Sequence, residues 1–154
     1  MSAAGGNRMI WAGASGLISV VVASCFGLGW YWSQEPALPS VQALSAQAAA
    51  SAGEQVVVGY ATTSALIHLA GELLDKPGGY LSNDVLPPGV LLDDMPNWEF
   101  GVLVQIRDMT RDLRKDLARS QSTSAEDPDL IKAEPQFHFD SQSHWFPSSE
   151  SEYR

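Results

Sequence analysis

Apolar and polar positions along this chain change rhythm several times, and each rhythm predicts an element. From Met9 to Trp32, MIWAGASGLISVVVASCFGLGWYW, no residue carries a charge. A bilayer's hydrocarbon core needs about 20 apolar helical residues, so the run predicts a membrane-spanning helix with some tilt. The stretch Ser33 to Gln55 is rich in Pro, Ala and Ser without sustained apolar periodicity. It reads as a flexible tether with a partly helical Ala-rich end. From about Gln55 to Asp75, Leu66, Leu69, Ala70, Leu73 and Leu74 form a helical stripe, which Lys76, Pro77, Gly78 and Gly79 then stop.

A second stripe is predicted from Trp98 to Ser120, with Asn97 as its cap. At 100° steps Met109, Val102, Leu113, Ile106, Leu117 and Leu103 fall within an arc of about 120°. Between the two helices lies GGYLSNDVLPPGVLLDDMPNWEFG, Gly78 to Gly101. Pro87-Pro88-Gly89 and Pro96-Asn97 force turns and extended chain there. Leu81, Val85, Leu86, Val90, Leu91, Leu92 and Met95 give this loop enough apolar area to be pinned onto something.

The remaining pattern is shorter. SQSTSAEDPD predicts a flexible polar loop, with Asp127 capping a short helical turn that has Pro128 at its first position. Phe137 and Phe139 alternate with His138 and Asp140, as on a half-buried strand or extended arm. Ser149-x-x-Glu152 has the form of a capping box and predicts a helix start. Nucleation entropy is recovered only by further turns, so the chain is expected to continue past Arg154.

The fold class expected is therefore mainly α: one N-terminal transmembrane helix, a flexible tether, and a partial helical periplasmic domain with a long Pro/Gly-containing loop. The organisation expected is a cytoplasmic tail at 1–8, the transmembrane helix at 9–32, the tether at 33–54 and the domain at 55–154, incomplete at its C-terminus.

Charge sets the orientation. Arg8 precedes the apolar run, and the next basic residue is Lys76. Basic residues stay on the cytoplasmic side, which places the amino terminus inside and the rest outside the cytoplasm. Trp11 at one end and Trp30, Tyr31 and Trp32 at the other suit the two interfaces. A cleaved signal peptide would have a shorter apolar region and a nearby cleavage site. A lipoprotein signal at Val22 to Cys25, VASC, is the second alternative, though the apolar residues after Cys25 are an odd start for a mature lipoprotein.

Acidic residues number 18 and basic residues 9, for a net charge of −9. This disfavours nucleic acid as a partner. The single Cys25 excludes an intramolecular disulfide. No zinc-type Cys/His pattern, P-loop or dinucleotide fingerprint is present, and no cofactor is expected.

Candidate chemistry is thin. Asp84, Asp93, Asp94 and Glu99 could form a cation site or a general-acid pair. Adjacent residues in extended chain point opposite ways, so turn-forming acids around an apolar plug is the simpler account. His138, Asp140 and His144 are of metal-ligating type, and polar alternation explains them more cheaply. Ser64, His68 and Glu72 have hydrolase-triad residue types but lie along one helix face, with no nucleophile elbow. Arg107, Arg111 and Arg114 share a flank that could bind an anion or an acidic partner; a solvated helix or pairing within the fold competes with that. Ser15, Ser19, Ala23 and Gly27 recur every fourth residue and could seat a partner helix or a second copy, as small residues do in membranes generally.

The run GELLDKPGGYLSNDVLPPGVLLDDMPNWEFGVLVQIRDMTRDLR, with SQSTSAEDPDL and WFPSSESEYR after it, closely resembles a bacterial membrane-protein family known only as domain of unknown function 2333. The resemblance runs from about Gly59 to the end. It implies a proteobacterial inner-membrane protein with one amino-terminal anchor and a mainly helical periplasmic domain, whose members continue past the position of Arg154. It brings no activity, catalytic residue or cofactor. The expectation is an uncharacterised membrane-anchored periplasmic protein acting as a non-enzymatic structural or interaction component of the envelope, with an unknown envelope protein as partner. The alternative is an envelope hydrolase or metal-dependent enzyme using carboxylates of the 84–99 loop.

Overall fold

The computed structural model describes residues 3–117 and 126–154, which are mainly helical and contain no strand. Helix α1 runs Ala3–Trp32, α2 Val41–Ala52, α3 Tyr60–Asp75, α4 Asp94–Asp112, α5 Pro128–Phe137 and α6 Ser149–Tyr153. A 3-10 turn at Gly89–Leu91 sits in the loop before α4, and a π-helical turn at Leu113–Leu117 follows α4. From α2 onward each helix packs on the next: α2 on α3, α3 on α4, α4 on α5, α5 on α6.

Helix α1 stands apart. Its 22-residue stretch Trp11–Trp32 is long and apolar enough to cross a membrane, and only 6% of it is buried against the rest of the chain. Its last turns meet the loop before α4: Gly29 lies against Pro88 and Leu92, and Trp32 lies over Gly78.

The expected tether holds a helix. Ser40 accepts a hydrogen bond from the Ala43 N–H, and Gly53, at φ 69°, closes the C-terminus. Alanine has the highest helix propensity, and between these caps it suffices once one face is covered. That face is Ser45 and Ala49, buried where α2 packs on α3.

Helix α3 presents the expected stripe. Leu73 and Leu74 join Tyr80, Leu103, Ile106 and Tyr153 in one core, with Leu66, Leu69 and Ala70 packed against it. Tyr80 and Tyr153 meet edge to face at 5.7 Å. The predicted stripe of α4 is confirmed at Leu103, Ile106 and Leu113, which are buried, whereas Met109 is 38% exposed.

Boundaries differ from expectation for local reasons. Helix α4 starts at Asp94, so Asn97 is inside it and donates its N–H to the Asp93 carbonyl. Pro96 permits this because a first-turn residue has no intrahelical N–H partner to lose. The end expected at Ser120 and most of the polar loop lie outside the described residues. Asp127 caps α5 as predicted, accepting from Asp129 and Leu130. The helix then continues through Pro135 to Phe137, and the strand or arm expected there does not form. The carbonyls of Phe137 and Phe139 accept from Arg107 and are unavailable to a strand partner. At α6 the cap is Ser148, not Ser149. The Ser149 hydroxyl donates its one proton instead between the carbonyls of Asp140, at 2.7 Å, and Ser143, at 3.1 Å, so the capping box is not made.

Candidate functional site

The loop between α3 and α4 holds the densest polar chemistry in the described residues, and two charges fix it from within. Lys76, at the end of α3, and Glu99, in the second turn of α4, form an ion pair whose side chains are both 0% exposed. The Lys76 ammonium also donates to the carbonyls of Leu73 at 3.1 Å and Gly79 at 2.6 Å, which uses all three of its protons. Its Nζ lies 5.8 Å from the centre of the Trp98 ring. Glu99 Oε1 also accepts from the Leu81 N–H at 2.8 Å, and Oε2 accepts from the Ser82 N–H at 2.7 Å and from the Ser82 hydroxyl. A buried ion pair stands when its remaining hydrogen-bonding capacity is filled in this way.

Glu99 is therefore a clamp. It ties the loop backbone at Leu81 and Ser82 to α4, and its lone pairs are occupied by protein donors. The other three carboxylates of the loop lie elsewhere. Asp93 and Asp94 are exposed at the start of α4, and Asp93 makes no side-chain cap. Asp84 packs over Gly89, where an added Cβ would run into its side chain. The four acids are not brought to one point.

Asp84 faces a cleft of about 310 Å³, lined also by Trp32, Leu86, His144, Ser148 and Glu150 among others. Asn83 fixes its wall, donating at 2.8 Å to both the Ser143 carbonyl and Glu150 Oε2. Partial burial raises the pKa of the Asp84 carboxyl; the negative charges of Glu150 and Glu99 add to this and Lys76 opposes it. The cleft thus gathers one expected acid, Asp84, one expected metal candidate, His144, and Glu150, which the sequence did not single out.

The other metal candidates are elsewhere. One ring nitrogen of His138 lies 2.9 Å from the Glu134 carbonyl and the other 3.0 Å from Arg111. The Asp140 carboxylate accepts from the Gln142 N–H. Among the described residues no three His, Cys, Asp or Glu side chains are grouped as a metal ion would require. The sequence spacing of His138, Asp140 and His144 therefore does not become a spatial cluster.

The arginine flank of α4 and of the π-helical turn after it faces α5. Arg107 donates to the carbonyls of Phe137 and Phe139. Arg114 pairs with Glu126 at 2.8 Å and Glu134 at 2.6 Å, and Arg111 with Glu134 at 3.5 Å. Burial pushes the Glu134 carboxyl up, but Arg114 and Arg111 outweigh it and hold the group below the usual carboxylate range. These guanidinium groups join two helices.

A second concavity, about 1140 Å³, runs between α2 and α3, with Leu44, Ala48, Ser64, Ile67, His68 and Leu113 on its walls. His68 Nε2 is buried there without a hydrogen-bond partner among the described residues. On α1, the Ser15 and Ser19 hydroxyls donate to the carbonyls of Ala12 and Ser15, and nothing lies within 4 Å of a Cβ added at Gly27. Ser15, Ser19, Ala23 and Gly27 are thus exposed among the described residues.

The model of a family described as "uncharacterized protein conserved in bacteria (DUF2333)" matches residues 5–154. No curated protein and no solved structure matches the chain.

Proposed function

The chain belongs to the DUF2333 family of uncharacterised bacterial proteins, and from that premise we propose that it is a single-pass inner-membrane protein whose helical domain lies in the periplasm. In this reading α1 is an uncleaved anchor with a cytoplasmic amino terminus. The domain is a non-enzymatic structural or interaction component of the envelope. Support for the anchor comes from the contact of its last turn with the loop, Trp32 over Gly78 and Gly29 against Pro88 and Leu92. A leader removed by a peptidase would leave the loop without those partners. Support for the orientation is the basic Arg8, in α1 just ahead of its apolar run, and the wholly non-basic stretch from there to Lys76.

The single observation that carries the non-enzymatic reading is the saturation of Glu99. It is the most buried acid of the loop, and its oxygens are taken by Lys76, Leu81 and Ser82. The loop's polar chemistry then serves to hold two helices and the end of the anchor together. The experiment is protease treatment of spheroplasts from cells making the chain, followed by carbonate extraction. The reading requires the domain to be digested from outside and the remaining α1 fragment to stay in the membrane. Release of a shortened, intact domain would mean a cleaved leader.

The alternative, an envelope hydrolase, draws on one observation: Asp84, with its raised pKa, shares a cleft with His144 and Glu150. Asp84→Asn and His144→Ala in the chromosomal copy separate the two. Under the structural reading both strains behave as wild type, and under the enzymatic reading both behave as the deletion strain.

A further inference from the structure

Among the apolar side chains that the fold leaves in the open, one set lies in the loop that meets the end of α1. The octet Val85–Leu92 carries no charge. Within it Leu86 and Leu91 are each 72% exposed, and Val85 and Val90 are more than half exposed. Across the cleft, the turn that supplies His144 and Ser148 to its lining also holds Trp145 and Phe146, 74% and 101% exposed. Leucine and phenylalanine displayed like this on two facing lips require a cover.

The position of this face along α1 identifies the cover. Counted from Trp11 at 1.5 Å per residue, a hydrocarbon core of about 30 Å ends near Trp30. Pro88 and Leu92 touch Gly29, so they meet the helix within one turn of that boundary. The uncharged octet around them is therefore held at the level of the headgroups. Aromatic rings such as Trp145, with Trp30 and Tyr31 on α1 beside this level, favour that zone because one edge is apolar and the other wet. The octet holds no basic residue, and Asp84 at its edge faces the cleft with Glu150. Attraction to anionic lipid is thus not what seats the face.

We infer that the Val85–Leu92 lip and the Trp145-Phe146 turn form a membrane-docking face, which inserts into the outer interfacial zone of the bilayer that α1 crosses and holds the domain down on it. This rests on the reading of α1 as an anchor. The ligand is a lipid surface of neutral headgroups, recognised by apolar insertion. The domain accordingly lies against the membrane and does not swing on a tether, and the 310 Å³ cleft opens beside the lipid surface.

The test uses the full chain in nanodiscs of zwitterionic lipid, with Cys25→Ser as background and one nitroxide label per sample. Labels go at Leu86→Cys, Leu91→Cys and Phe146→Cys. Val21→Cys serves as the bilayer reference and Val58→Cys, fully exposed between α2 and α3, as the aqueous reference. Collision rates with oxygen, which partitions into lipid, and with a water-soluble nickel chelate are compared. The inference requires oxygen to exceed nickel at positions 86, 91 and 146, with values between the two references and unchanged by salt. Values equal to those at Val58 overturn it. Low access to both reagents also overturns it, because a protein partner or second copy then covers the face. If Val21 itself reads as aqueous, the anchor reading fails along with it. Leu86→Asp with Leu91→Asp should shift the label at position 146 to aqueous values; no shift contradicts a shared docking face.

Discussion

Replacing Glu99 by Gln tests whether the buried pair is a clamp. The substitution keeps size and shape but removes the charge opposite Lys76, which is 0% exposed and sealed under the loop. Removing one partner of a buried pair costs about 3–5 kcal/mol, since the other charge is left without compensation. The amide also puts N–H protons where an oxygen now accepts from Ser82 or from Leu81 and Lys76. Each buried donor left unmatched costs about 1–3 kcal/mol, although part of that is already within the first figure. A total near 4 kcal/mol is a large fraction of the roughly 5–15 kcal/mol by which domains are stable. For a domain of about 100 residues it lowers Tm by roughly 15–30 °C. The assay is thermal unfolding of the full chain in detergent, followed by tryptophan fluorescence, because Trp98 packs beside Lys76. Replacing both residues, Lys76→Met with Glu99→Gln, should cost less than the sum of the single changes. A Tm within about 5 °C of wild type for Glu99→Gln, equivalent to roughly 1 kcal/mol, would refute the clamp.

Further consequences follow from the same contacts. Asp93→Asn with Asp94→Asn touches two exposed side chains and should change stability by less than about 0.5 kcal/mol in the same unfolding assay. Gly78→Ala puts a Cβ against the Trp32 ring at a φ of 90°, which should cost at least about 1–2 kcal/mol and be partly rescued by Trp32→Ala. For Asp84 the folded pKa is raised, so its ionisation destabilises the fold: stability is highest below the ordinary carboxylate pKa and declines as pH rises through the raised value. Asp84→Asn should therefore raise Tm at pH 7, with the gain vanishing below about pH 4. Arg114→Met should increase hydrogen exchange in α5, which it holds through Glu126 and Glu134, more than Lys132→Met, whose partner Asp129 is exposed.

Much of the fold is legible in local pattern. The uncharged run gives α1, the Leu66–Leu74 stripe gives the core face of α3, and Asp127-Pro128 gives the start of α5, because each signal acts within a few residues. Helix α2 is concealed because alanine fills its surface as well as its interface, leaving no contrast for periodicity to show. The pair Lys76–Glu99 is concealed for a different reason. Its members are far apart in sequence, and nothing local marks either as buried; Glu99 resembles any acid on a turn, and Lys76 resembles a helix stop. The same limit applies to Arg107, whose partners are backbone carbonyls at Phe137 and Phe139 that carry no sequence signature. Asp84 and His144 share a cleft only because Asn83 ties the loop to the 143–150 segment.

The central claim is that the Pro/Gly loop is a packing element seated on the end of α1. The most direct measurement is cross-linking of Gly29→Cys to Leu92→Cys in native membranes, in a Cys25→Ser background, with a short bifunctional thiol reagent. A Cβ at Gly29 lies 3.7 Å from the Leu92 side chain, so the account predicts rapid formation of an intramolecular link that changes gel mobility. The pair Gly29→Cys with Val58→Cys should remain unlinked. Absence of the 29–92 link, or a link only between two chains, would contradict the account.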